Sequence, residues 1–275
     1  MNVPSRRSDR HRSWIRRGLI LAAVLLVIYG LVAYLALPSV WAHYEHQHGL
    51  EGRPMVTHTA QGIPGDPLNV GLVGSHEDIV RAMHAAGWYP ADPITLRSSI
   101  GIIDSVLLHR PYDQAPVSPL FYQGRREDLA YEKPVGSSAD QRNHVRLWKV
   151  LDKGQEGRPV WLGSATFDRG VGMSRYTGQV THHIAPDIDA ERDRLIGDLV
   201  QAGMVMTRYD VSGIGPTLNG RNGEGDPYYT DGEIWMAVLV VDGEKRTQPP
   251  AELPSPLLVT AKNNIWNAVA GALRN

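Results

Sequence analysis

Two adjacent histidines open the densest run of reactive side chains in the sequence, Val180–Gly203, VTHHIAPDIDAERDRLIGDLVQAG. His182 and His183 are followed by Pro186 and then by Asp187, Asp189 and Glu191. Imidazoles close to carboxylates are the donor set of zinc or manganese sites and of general acid–base pairs. His144, on a separate apolar segment, is a third imidazole that a sheet can bring near. The candidate ligands are therefore His144, His182 and His183 with Asp187 or Asp189, around a divalent metal in a hydrolase. Neighbours on a regular strand point to opposite faces, so His182 and His183 cannot both face one ion. The acids also have a structural use, because carboxylates in a first helical turn satisfy free N–H groups and complement the helix dipole.

The second candidate is the glycine-rich stretch Ser212–Glu233. Arg221, Asn222, Glu224 and Asp226 suit an ion or an anionic ligand, since such loops turn backbone N–H groups inward. Asn222, Glu224, Asp226 and Glu233 match positions one, three, five and twelve of a calcium loop, but Pro227 stands where an EF-hand needs glycine. There is no Walker lysine, no dinucleotide fingerprint, no GxSxG elbow and no HExxH. The chain contains no cysteine, which excludes disulfides and thiolate chemistry. Its 28 basic and 29 acidic residues nearly cancel, so no bulk affinity for nucleic acid is expected.

These candidates must be positioned by the segments around them. Residues 1–17 hold Arg6, Arg7, Arg10, Arg12, Arg16 and Arg17, and an unbroken apolar run covers 18–38. About 20 residues at 1.5 Å each span roughly 30 Å, the thickness of a hydrocarbon core. Trp14 and Trp41 flank the run as interfacial aromatics do. The arginines predict a cytoplasmic N-terminus, a single span and a main domain in the periplasm, at a bacterial inner membrane. The run exceeds a signal-peptide h-region, although Val40-Trp41-Ala42 resembles a cleavage site. Residues 39–65 read as a juxtamembrane linker whose His43, His46 and His48 are solvated. Residues 66–243 read as the globular domain, 244–259 as a proline-rich linker and 260–275 as a C-terminal helix, with few cations to hold it on a membrane surface.

Within 66–243 the expected elements are a strand at 68–73, a helix capped by Ser75 and Asp78 and stopped at Gly87, and a helix at 95–109. Strands follow at 144–151, 159–167 and 180–184, then a helix at 187–202 and strands at 204–211 and 234–241. This alternation predicts an α/β or α+β fold, a mixed sheet with strand–helix–strand units behind one N-terminal transmembrane helix.

Several segments, in order, resemble one family. They are Gly71-Leu72-Val73-Gly74-Ser75, Glu132-Lys133-Pro134, His144-Val145-Arg146-Leu147-Trp148, Thr181-His182-His183-Ile184, Asp189-Ala190-Glu191-Arg192 and Asn222-Gly223-Glu224-Gly225-Asp226-Pro227. Together they are similar to the LssY C-terminal domain. That family takes its name from a protein assigned to type I secretion. It also occurs fused to membrane proteins of the DedA type and to type 2 phosphatidic acid phosphatases. The resemblance implies an envelope setting and supplies no catalytic residues. The expectation is an accessory or binding module for envelope transport or lipid metabolism, taking a protein partner or an anionic ligand. The rival is the metal-dependent hydrolase above.

Overall fold

The computed structural model describes residues 6–38, 46–91, 119–135, 141–178, 180–212 and 219–273. Helix α1 (Arg6–Leu31) runs on through a π-helical turn at Val32–Ala36. Its Arg12–Ala36 portion, 25 residues, is long and apolar enough to cross a membrane, and the rest of the protein buries none of it.

The domain that follows is built on a nine-stranded mixed sheet. Its strands include β3 (Val70–Val73), β4 (Tyr89–Pro90), β7 (Leu129–Pro134), β8 (Arg142–Leu151) and β9 (Val160–Met173). The others are β10 (Val180–Ile184), β11 (Val205–Ser212), β14 (Glu233–Leu239) and β15 (Ala251–Glu252). The order is β15-β11-β14-β3-β9-β8-β7-β4, with β10 also on β9. Among the described strand pairs of this sheet, β3·β14 and β11·β15 are parallel and the others antiparallel. A small antiparallel sheet, β2-β1-β5-β6, is made by β1 (Val56–Thr59), β2 (Pro64–Pro67), β5 (Leu120–Tyr122) and β6 (Arg125–Arg126). A hairpin pairs β12 (Asn219–Arg221) with β13 (Pro227–Tyr229).

Strand alternation gives the main sheet two working faces. On one face Val70, Leu72, Val145, Leu147, Trp161 and Leu239 pack against helices α2 (His76–Ala85) and α3 (Ile188–Gln201). The helices contribute the expected stripes, Ile79, Ala82 and Met83 from α2 and Leu195, Ile196 and Leu199 from α3. Both begin where the sequence places caps. Ser75 and Asp78 form a reciprocal capping box, and the Asp187 side chain accepts from Ala190 N. On the other face Val73, Trp148, Val160, Leu162, Met236 and Val238 pack against Leu120 and Tyr122 of the small sheet.

Residues 46–65 depart from the linker reading. Leu50 and Met55 are buried in the second core, Gln47 and Thr57 are fully buried, and β1 and β2 start here. The segment lacks a clear period because its strands are short and proline-bounded. Strand β9 is longer than expected. Its first half pairs with β3 and β8, and its second half passes the end of β3 and pairs with β10. The expected helix at 95–109 lies outside the described residues, as do residues 213–218 of the glycine-rich stretch.

Asn69 joins the halves of this arrangement. Its Nδ2 donates to Ala165 O at 3.0 Å and Ile188 O at 2.8 Å, and its Oδ1 accepts from Ala165 N at 2.9 Å. It thus fastens the start of β3 to mid-β9 and to the first residue of α3. Asn69→Ala takes the partner from the buried Ala165 N–H and C=O and removes the tie to the first residue of α3. It is expected to lower the unfolding free energy by about 3 kcal/mol, seen as a lower urea midpoint with an unchanged slope.

Candidate functional site

The face of the sheet toward the small sheet is apolar at one end and charged at the other. Arg142, His144 and Arg146 alternate along β8 and stand opposite Asp168, Thr166 and Ser164 of β9. Glu132 of β7 faces His144 from the other side. All seven side chains are buried. Arg142 bridges two acids, Nη1 donating to Glu132 Oε2 at 3.0 Å and Nε to Asp168 Oδ2 at 3.1 Å. Arg146 Nη1 lies 3.5 Å from Asp66 Oδ2, which comes from β2 of the small sheet. Asn222 Nδ2 donates to the other Asp66 oxygen at 2.9 Å.

Burial and charge set the protonation of this array. Burial pushes Asp66 above the ordinary carboxylate range, and the Asp168 and Asp226 charges push the same way, while Arg146 and Asn222 partly offset them. His144 is driven well below the ordinary imidazole value, first by burial, then by the Arg146, Arg142 and His182 charges. It is a neutral ring packed between two guanidinium groups.

Beside the array is a cavity of about 40 Å³. Arg146, Asp66, Asp168, Thr166, His182 and Asn222 are among its walls. By volume it admits water-sized groups and no bulky ring. A second cavity, of about 90 Å³, shares Thr59, Gly223 and Glu224 with the first and continues toward Gln61 and Thr177.

The glycine-rich loop closes one side. Asn222 Oδ1 accepts from Glu224 N at 3.1 Å and Asp226 N at 2.9 Å, which folds 222–226 into a tight turn. Glu224 O accepts from Arg175 N, which ties the turn to the β9–β10 connection. Asp226 is fully buried and pins the loop to β10, accepting from Ile184 N at 3.0 Å and meeting His183 Nδ1 at 2.7 Å. Arg221 turns back on its own loop and donates to Gly225 O at 2.8 Å. Of the four residues expected to bind a ligand, Asn222 and Glu224 line the cavity, and Arg221 and Asp226 organise the loop.

One family model matches most of this fold. Residues 50–234 match the family described as LssY C-terminus. The chain belongs to that family. No curated protein and no solved structure is similar to it. The family match begins at Leu50, so the LssY domain takes in the β1–β2 segment that supplies Asp66.

Within the LssY domain the expected metal ligands do not form one set. His182 faces the cavity, close enough to His144 to affect its charge. His183 lies on the opposite side of β10 against Asp226, as strand alternation requires. Gly172 makes room for that ring, because a Cβ there would stand 2.5 Å from His183 Nε2. Asp187 spends its carboxylate on the α3 cap. Asp189 accepts from Thr230 Oγ1 at 2.7 Å and Asp231 N at 2.6 Å, and burial raises it to about 6 against the opposing Arg192 charge. Glu233 pairs with Lys262, away from Asp226, so the calcium-loop spacing does not converge. Among the described residues, no group of three or more His, Asp or Glu side chains is arranged to hold a metal ion.

Asp66, Arg142, Arg146 and Asp168 are site residues that no catalytic or ligand-binding motif in the sequence marks. The available signal was the alternation Arg142-Asn143-His144-Val145-Arg146-Leu147, whose charged face reads as solvent-facing until a second layer covers it.

Two outcomes follow from the charge array. Arg142→Leu strands Glu132 and Asp168 as buried carboxylates and is expected to cost about 3–5 kcal/mol in denaturant unfolding. The His144 contribution to stability is full above pH 6.5, where both states hold the ring neutral. It is lost as pH falls from there through the lowered folded-state value. The melting temperature of His144→Gln should therefore fall less steeply than that of the parent chain below pH 6.5. Parallel curves would show that the folded protein protonates the ring.

Proposed function

We propose that this chain is a membrane-anchored module of the bacterial envelope, with its LssY domain in the periplasm and a small hydroxyl-bearing ligand in the cleft beside Arg146. The observation that carries the reading is the composition of the cleft. Arg146 is a donor, Asp66, Asp168 and Glu224 are acceptors, and the Thr59, Thr166 and Thr181 hydroxyls and the Asn222 amide do either. Apolar side chains would pack the two layers at lower desolvation cost. Charges kept at a cavity wall mark a place where something polar is received.

Three acids beside one arginine argue against the anionic ligand expected from the loop alone. A sugar-like hydroxyl can donate to a carboxylate and accept from the guanidinium, so a neutral polyol suits both signs of charge. The binding reading is favoured over a metal-dependent hydrolase because the candidate ligands are spread over a helix cap, two faces of β10 and the β8 array.

The membrane part of the proposal is supported by α1 and by the arginines that precede its apolar portion. A reporter fused after residue 243 is expected to be active in the periplasm, and cytoplasmic activity would reverse the orientation. For the cleft, thermal melting of the detergent-solubilised chain is expected to rise saturably with a small acyclic polyol, glycerol or ethylene glycol, and not with inorganic phosphate. Stabilisation at a hundredfold excess over Kd is about 2.7 kcal/mol. Loss of the effect in His182→Ala places the ligand in the cleft. A response to phosphate alone would return the site to anion binding.

A further inference from the structure

Helix α4 (Leu257–Leu273) divides into three faces. One is fixed to the domain, with Val259 buried and Lys262 Nζ 2.8 Å from Glu233 Oε1. A second is polar and exposed, with Thr260, Asn264 and Asn267 at i, i+4 and i+7. The third is apolar and open. Leu258, Ile265 and Val269 stack at i, i+7 and i+11, with exposures of 68 %, 66 % and 43 %, and Leu257 at the start of the helix is 89 % exposed.

What covers that face is indicated by where the chain comes from. His46 Nε2 donates to Pro254 O at 3.1 Å, three residues before α4 begins. The chain leaving α1 at Pro38 is therefore tied to the base of α4 after eight residues. Fully extended, those eight residues reach at most about 28 Å. With α1 across a bilayer, the start of α4 is held within that distance of the membrane face. The β11·β15 pairing and the Lys262–Glu233 bridge fix the helix on the domain.

We propose that α4 lies in the surface of the bilayer that α1 crosses, with Leu258, Ile265 and Val269 inserted among the lipids. The domain is then held to the membrane at two points. Lys262, the cation of the described part of the helix outside residues 274–275, is turned inward to Glu233. Insertion is accordingly driven by apolar burial, with little dependence on anionic lipid. This inference rests on the reading of α1 as an anchor, and the test separates the two.

The chain has no cysteine, so single cysteines can be introduced and labelled with an environment-sensitive fluorophore. The full-length chain is reconstituted in phosphatidylethanolamine–phosphatidylglycerol vesicles carrying Leu258→Cys, Ile265→Cys, Val269→Cys, Thr260→Cys or Asn264→Cys. The first three labels are expected to shift to the blue and to be quenched by lipid-borne nitroxide. The last two are expected to keep water-like emission. The pattern should persist when phosphatidylcholine replaces phosphatidylglycerol. Water-like emission from Ile265→Cys, in a chain that still floats with the vesicles, overturns the α4 proposal and leaves the anchor standing. A chain that does not float overturns both. Disulfide crosslinking between Ile265→Cys copies, in place of lipid quenching, assigns the face to a second copy and also overturns the proposal.

Discussion

The structure depends on keeping charges paired where two layers of sheet meet. Arg142 and Arg146 project from the middle of the main sheet into a space that the small sheet covers. An unpaired buried ion costs several kcal/mol, so each guanidinium requires a carboxylate within reach. The Arg142 charge is paired within the main sheet, by Glu132 and Asp168 from the strands on either side. Arg146 is satisfied from the other layer, by Asp66. That division has a consequence for function. The Arg142 cluster stabilises the sheet by itself, whereas the Arg146–Asp66 pair exists only when the small sheet is docked. The cavity lies at that second pair, where the two layers meet through polar groups rather than close-packed side chains.

The histidine pair is ordered by the same sheet. Beyond the end of β3, the second half of β9 would have an open edge, and β10 occupies it. A register irregularity between His183 and Ile184 leaves the backbone N–H of Ile184 to Asp226. Asp226 therefore does for the strand what a neighbouring strand would have done, and the same carboxylate holds His183. The glycine-rich loop is fixed to the scaffold at its base and contributes Asn222 and Glu224 to the cavity at its tip. The loop and the histidine strand form one unit, in which only His182 faces the cavity among the two imidazoles.

Much of this was legible in the sequence wherever a local rule decides the outcome. The membrane-length run, the Ser75–Asp78 capping box, the Asp187 cap and the separation of His182 from His183 follow from periodicity and capping alone. The charged array was less legible because its logic is not local. Arg146 and Asp66 are 80 residues apart, and a strand with one charged face is the ordinary pattern of a solvated sheet. The covering layer was hidden too. Its strands are short and bounded by prolines, and two of them fall in a stretch whose scattered His, Gly and Pro residues read as a tether. Missing β1 and β2 meant missing Asp66, and without Asp66 nothing in the sequence marks Arg146 as buried.

That same stretch connects the site to α1. From residue 46 onward the chain is not a loose leash. Gln47 is fully buried and accepts from the Tyr209 hydroxyl, Leu50 and Met55 fill the second core, and β1 pairs with both β2 and β5. The polypeptide that leaves α1 therefore becomes, within a few residues, a wall of the layer that carries Asp66 and Thr59 to the cavity. On the reading of α1 as an anchor, a pull on the tether acts on the small sheet, and the Arg146–Asp66 contact is where the small sheet grips the large one. A ligand that bridges Arg146 and Asp66 would strengthen that grip, and separation of the layers would release it. Coupling of this kind needs no moving hinge, because one buried pair spans both layers and also forms the cavity wall.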